Sequence, residues 1–130
     1  MERKNIPTGS PLGADFGYSR AVRLGNHIHV AGTCAQPPHD QSNAYDQAKS
    51  ALQIIANALD EAGASLGNVV RTVVYITDTT HAEGVTLAHR ETFGAILPAS
   101  TLIVIAALLK PHLVVEIEAY AILPEPSNEN

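Results

Sequence analysis

Seven apolar residues at helical spacing constrain this chain more tightly than any other feature of its sequence. Ala48, Ala51, Leu52, Ile55, Ala58, Leu59 and Ala62 fall at i, i+3, i+4 and i+7, which gathers them on one stripe of an α-helix. Asn43 offers a side-chain cap for its start, and Asp46 lies in the first turn near the positive end of the helix dipole. Gly63 stops it in the left-handed conformation that glycine tolerates. Four of the seven stripe residues are alanine, so the helix can approach a sheet closely. The sequence on either side supplies that sheet.

Tyr18 to Leu24 reads as a strand, Gly25-Asn26 as a turn and His27 to Thr33 as a second strand, together a hairpin. The stretch from Cys34 to Asn43, with Pro37-Pro38, Asp40 and Ser42, reads as a loop. Val69 to Thr77 is β-branched and reads as a strand with Val69, Arg71, Val73, Tyr75 and Thr77 on one face and Val70, Thr72, Val74 and Ile76 on the other. Thr80 and Glu83 have capping-box spacing. A second helix is predicted from about His81 to Phe93, with Val85, Ala88 and Thr92 inward and Gly94 at its end. Ser100 to Ala106 reads as a buried strand, Lys110-Pro111 as a turn and Leu113 to Leu123 as a final strand. Residues 1–16 read as an irregular arm and 124–130 as a frayed tail. The predicted order is β-β-α-β-α-β-β, an α+β fold with a mixed sheet. Two helices cover only one face of such a sheet. The uncovered face carries Val, Ile and Tyr, and an exposed apolar face of that size predicts an oligomer.

A length of 130 residues predicts one domain, and 45% apolar with 16% charged residues is a globular balance. The formal charge is −5 and the eight Lys and Arg form no run, so no nucleic-acid partner is expected. The close pair Arg20 and Arg23 reads as a solvated face. The single cysteine, Cys34, forms no intrachain disulfide and fits a reducing cytoplasm. Met1-Glu2-Arg3-Lys4 is followed by no apolar signal segment. The uncharged run Ile96 to Leu109 is too short for a membrane span and holds Pro98, so no membrane role is expected.

Glu116 and Glu118 stand two apart on the last strand and so share a face with Val114 and Tyr120. Paired carboxylates suit acid–base work, and the alternative is two charges on a solvated sheet face. His27 and His29 also share a face, but no further ligands follow at metal-like spacing, so no metal is expected. Cys34 has no base beside it in the sequence and reads as a half-buried thiol. No phosphate-loop, dinucleotide, nucleophile-elbow or C-x-x-C pattern occurs.

Four segments together resemble the RidA/YjgF/UK114 family, once called L-PSP endoribonucleases or translation inhibitors. They are Gly17-Tyr18-Ser19-Arg20-Ala21-Val22 with Gly25-Asn26; Val30-Ala31-Gly32-Thr33; Gly63-Ala64-Ser65-Leu66 through Val69-Val70-Arg71-Thr72 and Tyr75-Ile76-Thr77-Asp78; and Pro98-Ala99-Ser100-Thr101 with Val115-Glu116-Ile117-Glu118-Ala119. The resemblance implies a chorismate-mutase-like fold and a homotrimer with ligand clefts between subunits. It also implies cofactor-free hydrolysis of imines and enamines such as 2-aminoacrylate. By resemblance, Glu116 is the catalytic, water-positioning glutamate and Gly32 the ligand-binding backbone glycine. Tyr18 approximates the pocket tyrosine, and Thr86 stands where the family has an asparagine. The arginine that grips the substrate carboxylate falls on Ser100, in Pro98-Ala99-Ser100-Thr101, and the residue two beyond, often Cys, is Leu102. Lysine or serine cannot reproduce a bidentate guanidinium grip.

These residues predict a RidA-like hydrolase or deaminase acting on a small imine-like metabolite, with 2-aminoacrylate turnover weak or absent. Glu116 would position water, Ser100, Thr101, Tyr18 and Glu118 would line the ligand site, and Arg20 would substitute for the missing arginine. The alternative is a trimer that binds a small metabolite without chemistry. An endoribonuclease or translation inhibitor is disfavoured by the charge.

Overall fold

The computed structural model describes residues 2–125; of the tail expected to fray, 126–130 lie outside the described residues. Six strands form one sheet: β1 (Arg3–Ile6), β2 (Ala21–Leu24), β3 (His27–Thr33), β4 (Val69–Ile76), β5 (Ala99–Val104) and β6 (Val115–Ile122). Their order is β1-β2-β3-β6-β4-β5, antiparallel throughout except for the parallel pair β4 and β5. Helix α1 (Ala44–Glu61) and helix α2 (Ala82–Phe93) pack against each other on one face. The mixed sheet with two helices on one side is as predicted.

The alanine-rich stripe does the covering. All seven of its residues are buried in one core with Ile28, Val30, Val74, Ile76, Val115, Ile117, Ala119 and Ala121. Asn43 caps α1 by accepting a hydrogen bond from the Asp46 N–H at 2.8 Å, and Gly63 follows the helix at φ 87°. Gln47, facing inward on the first turn, ties the loops together. Its amide nitrogen donates to the carbonyls of Asp40, Ser42 and His112, and its oxygen accepts from the Val114 N–H.

Several predicted details are corrected. The arm at 1–16 contains β1, paired with β2 in register Arg3–Leu24 to Ile6–Ala21; a four-residue strand whose inward residue is Ile6 alone gives little alternation to detect. The segment Gly13–Gly17 is a single π-helical turn. The register of β4 shifts between Val69 and Arg71, so Val69 is buried and Val70 exposed, the reverse of strict alternation. No capping box forms at Thr80: the Asp78 side chain accepts from the Thr80 N–H and starts a 3-10 turn before α2. Phe93, not Thr92, is the last inward residue of α2, because Thr92 turns its hydroxyl back to the Ala88 carbonyl. Strand β5 is an edge strand with every residue exposed, not a buried one.

Arg20 and Arg23 are not a solvated pair. Arg23 Nη1 donates to the Ala62 carbonyl at 2.8 Å, closing the C-terminus of α1, and Arg20 is half-buried in the site described next.

Candidate functional site

Register decides which side chains can meet. Across β6, β4 and β5, Glu116 pairs with Tyr75 and Tyr75 with Ile103, and Glu118 pairs with Val73 and Val73 with Thr101. These six point away from the helices. Ser100 pairs with Thr72, and Thr72 with Ala119, on the helix-covered face. Successive strand residues alternate faces, so Glu116 and Ser100 lie on opposite sides of the sheet. Within one chain the predicted site residues therefore form two groups.

The first group surrounds Glu116. The register of β3 against β6 shifts between Val30 and Thr33. This irregularity carries Gly32 past the Glu116 side chain, where a Cβ on Gly32 would overlap the carboxylate. Cys34 Sγ donates to Glu116 Oε2 at 3.3 Å. Burial, the Glu116 charge and that hydrogen bond push the Cys34 thiol up to about 12, with Arg20 only partly opposing them. Cys34 is thus a protonated donor and not a nucleophile at neutral pH. Arg20 forms the wall beside it: Nη1 donates to the Gly32 carbonyl at 3.0 Å and to Thr33 Oγ1 at 2.6 Å, and Nη2 donates to Tyr18 Oη at 2.9 Å. Its guanidinium also lies 5.5 Å from the Tyr18 ring centroid. Three of its roughly five donors are consumed inside the protein. Arg20 fixes Tyr18, Gly32 and Thr33 in place, and its bonding is that of a structural brace. Along the same face Tyr75 Oη donates to Glu118 Oε1 at 3.1 Å, and Arg71 Nη2 donates to Thr101 Oγ1 at 3.1 Å. Burial first, then the hydrogen bond to Glu118, raises the Tyr75 phenol.

The second group lines a cavity of about 310 Å³ between α2 and the β4–β5 edge. Thr86, Ser100 and Leu102 line it with Val74, Val85, His89, Arg90 and Phe93. Thr72 Oγ1 lies 2.7 Å from Ser100 Oγ and 2.8 Å from His89 Nε2, a continuous hydrogen-bonded chain. Burial holds the His89 imidazole below its ordinary range, which favours the neutral ring.

Sequence reasoning singled out Glu116, Gly32, Tyr18 and Ser100 and gave no sign of the hydrogen bonds made by Thr33, Cys34, Thr72 and His89. A threonine in a β-branched strand and a histidine on a helix carry no local signal of meeting. Among the described residues no group of three or more His, Cys, Asp and Glu is placed to hold a metal, and no helix is long and apolar enough to cross a membrane.

The model of the family described as Endoribonuclease L-PSP matches residues 8–123. This chain belongs to the RidA/YjgF/UK114 family. The crystal structure of Rv2704 from Mycobacterium tuberculosis, a YjgF/YER057c/UK114 member, superposes with a TM-score of 0.88 at 39% identity, covering 94% of this chain and 100% of that one. The chain therefore has the family's chorismate-mutase-like fold. Human 2-iminobutanoate/2-iminopropanoate deaminase is 32% identical over 124 residues, with 92% of this chain and 90% of the human protein covered. An uncharacterized Streptomyces coelicolor protein, SCO2049, is also 32% identical, covering 90% of this chain and 91% of that one. In this RidA-family chain β5 begins at Ala99, and its second residue, Ser100, at the position that the family resemblance gives to the arginine, is hydrogen-bonded to Thr72.

Proposed function

We propose that this protein is a RidA-type hydrolase that converts a small imine-like or related metabolite to its carbonyl product and ammonia, with little or no activity on 2-aminoacrylate. The observation that carries the reading is the seat of Glu116. Its carboxylate lies against the Gly32 backbone, one oxygen engaged by the Cys34 thiol and the wall beside it braced by Arg20 and Tyr18. Glu116 positions a water whose oxygen adds to the C=N carbon. The π-electron pair moves to nitrogen, which takes up a proton, and collapse of the carbinolamine releases ammonia and forms the C=O bond. The step is redox-neutral. The name of the human relative, a 2-imino acid deaminase, supports the reaction class.

The cleft is completed by a second copy of the chain, in an expected homotrimer. Ser100 and Glu116 face opposite sides of one sheet, so both reach a single ligand only if different copies supply them. The exposed β5 edge, with Leu102, Ile103 and Val104, and the uncovered sheet face offer the contact surface. Light scattering on the purified chain is expected to give a trimer, and a monomer that turns over imines would remove this part of the reading.

The test couples a PLP-dependent dehydratase, which generates 2-aminoacrylate, to ammonia release, and then repeats the measurement with imines lacking a carboxylate. Little acceleration with the first and clear acceleration with the second is expected, lost in Glu116→Gln. No acceleration with any imine, together with intact ligand binding in Glu116→Gln, would establish the second reading, a metabolite-binding trimer without chemistry. The endoribonuclease or translation-inhibitor reading has the net charge of −5 against it, since RNA binding rewards a clustered basic surface.

A further inference from the structure

Phe16 leaves 77% of its surface in water. The chain presents it on the π-helical turn Gly13–Gly17, which is closed by the Tyr18 N–H on the Gly13 carbonyl at 2.9 Å. Gly17 takes φ 85°, the left-handed conformation, and the rings on either side of it meet: Phe16 and Tyr18 stand edge to face with centroids 5.6 Å apart. The Arg20 guanidinium lies 5.5 Å from the Tyr18 centroid and bonds to the carbonyl of Gly32, whose Cα abuts the Glu116 carboxylate. Phe16 is thus the outer end of a row, Phe16–Tyr18–Arg20–Gly32, that leads to Glu116. The open sheet face beside it holds a cavity of about 670 Å³, lined by Gly17 and Tyr18 with Val22, Val30, Val73 and Glu118. A lone exposed apolar side chain needs no explanation, but one in contact with a tyrosine of the site does. We infer that Phe16 is a specificity-determining residue: its ring and that of Tyr18 form an aromatic wall that receives a planar aromatic group on the carbon of an uncharged imine. The inference rests on the RidA-type reading above and deepens it by naming the group that the substrate carries.

The contact with Tyr18 leaves most of the Phe16 ring free. An aromatic group laid against it removes apolar surface of both partners from water and keeps the offset or edge-to-face geometry that aromatic pairs prefer. A methyl group in the same place removes far less. The charge of the substrate follows from Arg20. Three of its donors are held by Gly32, Thr33 and Tyr18, so it presents no open fork to a carboxylate. Ser100 presents none either. Because Phe16 is exposed, shortening it leaves the core untouched, and its loss is read in binding and not in folding.

Benzamide and acetamide share a planar, uncharged carbonyl and differ in the phenyl ring, which makes them the probes. Each is titrated into the intact protein while the ring resonances of Phe16 and Tyr18 are followed by NMR. Benzamide is expected to bind about tenfold more tightly than acetamide, or better. Phe16→Ala should cut that preference by roughly fivefold with acetamide binding unchanged, and Phe16→Tyr should restore it. Turnover gives the second readout, with benzaldimine and propanimine generated in the assay by a flavin amine oxidase from benzylamine and propylamine. In Phe16→Ala the KM for benzaldimine should rise by about fivefold with kcat unchanged, and propanimine should be unaffected. Three results would overturn the inference: no preference for benzamide in the wild type, a preference that survives Phe16→Ala, or a change of oligomer mass in light scattering when the ring is removed, since Phe16 would then serve contact between copies. Binding also separates this inference from the functional reading. Phe16-dependent benzamide binding without imine turnover leaves the aromatic wall standing and removes the hydrolase, and turnover of both imines that ignores Phe16→Ala does the opposite.

Discussion

Gly32 and Glu116 occupy one another's space: the Glu116 carboxylate fills the volume into which any side chain at residue 32 would project. The displaced atoms are the far end of a flexible side chain, so the carboxylate can move and the backbone need not. Gly32→Ala should therefore leave stability within about 1 kcal/mol and yet lower imine turnover by roughly tenfold or more, since a misplaced water-positioning group costs catalysis steeply. Denaturation midpoint and turnover measured on the same sample check this. Parallel losses in both would show that Gly32 serves the fold instead.

Cys34 should behave as a buried donor. With its thiol pushed up to about 12 from 9.0, alkylation by iodoacetamide at pH 8 should be far slower than for a free thiol. The folded-state value is raised, so the stabilising contribution of the thiol form is complete below pH 9.0 and fades as pH rises toward about 12. Rapid labelling of the native protein at pH 8 would contradict the hydrogen bond to Glu116.

Ser100→Arg should restore what the serine lacks. A guanidinium at the start of β5 offers bidentate, charge-assisted bonds to a substrate carboxylate, so 2-aminoacrylate hydrolysis should rise by about tenfold or more. The coupled dehydratase assay reads this directly. An unchanged rate would mean that the carboxylate grip is not what limits this protein.

His89 gives the pH dependence of the cavity an unambiguous sign. Its folded-state value lies below 6.5 because burial disfavours the imidazolium. A depressed value contributes stability above pH 6.5 that is lost as pH falls through the folded-state value. Urea midpoints of the wild type should drop as pH falls below 6.5, and the drop should be smaller in His89→Gln. Identical pH profiles for the two proteins would show that the ring is not desolvated.

Gln47 is the strongest stability prediction. It is 1% exposed and bonds to three carbonyls and one N–H from two separate loops. Gln47→Leu keeps the volume and strands those groups, for an expected cost of about 3 kcal/mol, measurable by urea denaturation. A cost below about 1 kcal/mol would mean that water replaces the amide.

What the sequence determined by itself is local and periodic. The stripe from Ala48 to Ala62, its Asn43 cap and Gly63 stop, the His27–Thr33 strand and the alternation of Glu116, Glu118 and Tyr120 all follow from side-chain spacing, because helix and strand periods are written into consecutive residues. Glu116, Gly32 and Ser100 were singled out for their roles by the resemblance to the family's motifs and not by spacing. Only the tertiary structure decided that Arg20 is a brace for Tyr18, Gly32 and Thr33, that Cys34 donates to Glu116 across 82 residues of sequence, and that Thr72 joins Ser100 to His89. It alone decided that Glu116 and Ser100 face opposite ways, because the relative parity of β6, β4 and β5 is set by interstrand register. Register is a property of paired strands, fixed by which faces the whole sheet buries, and no single strand contains it.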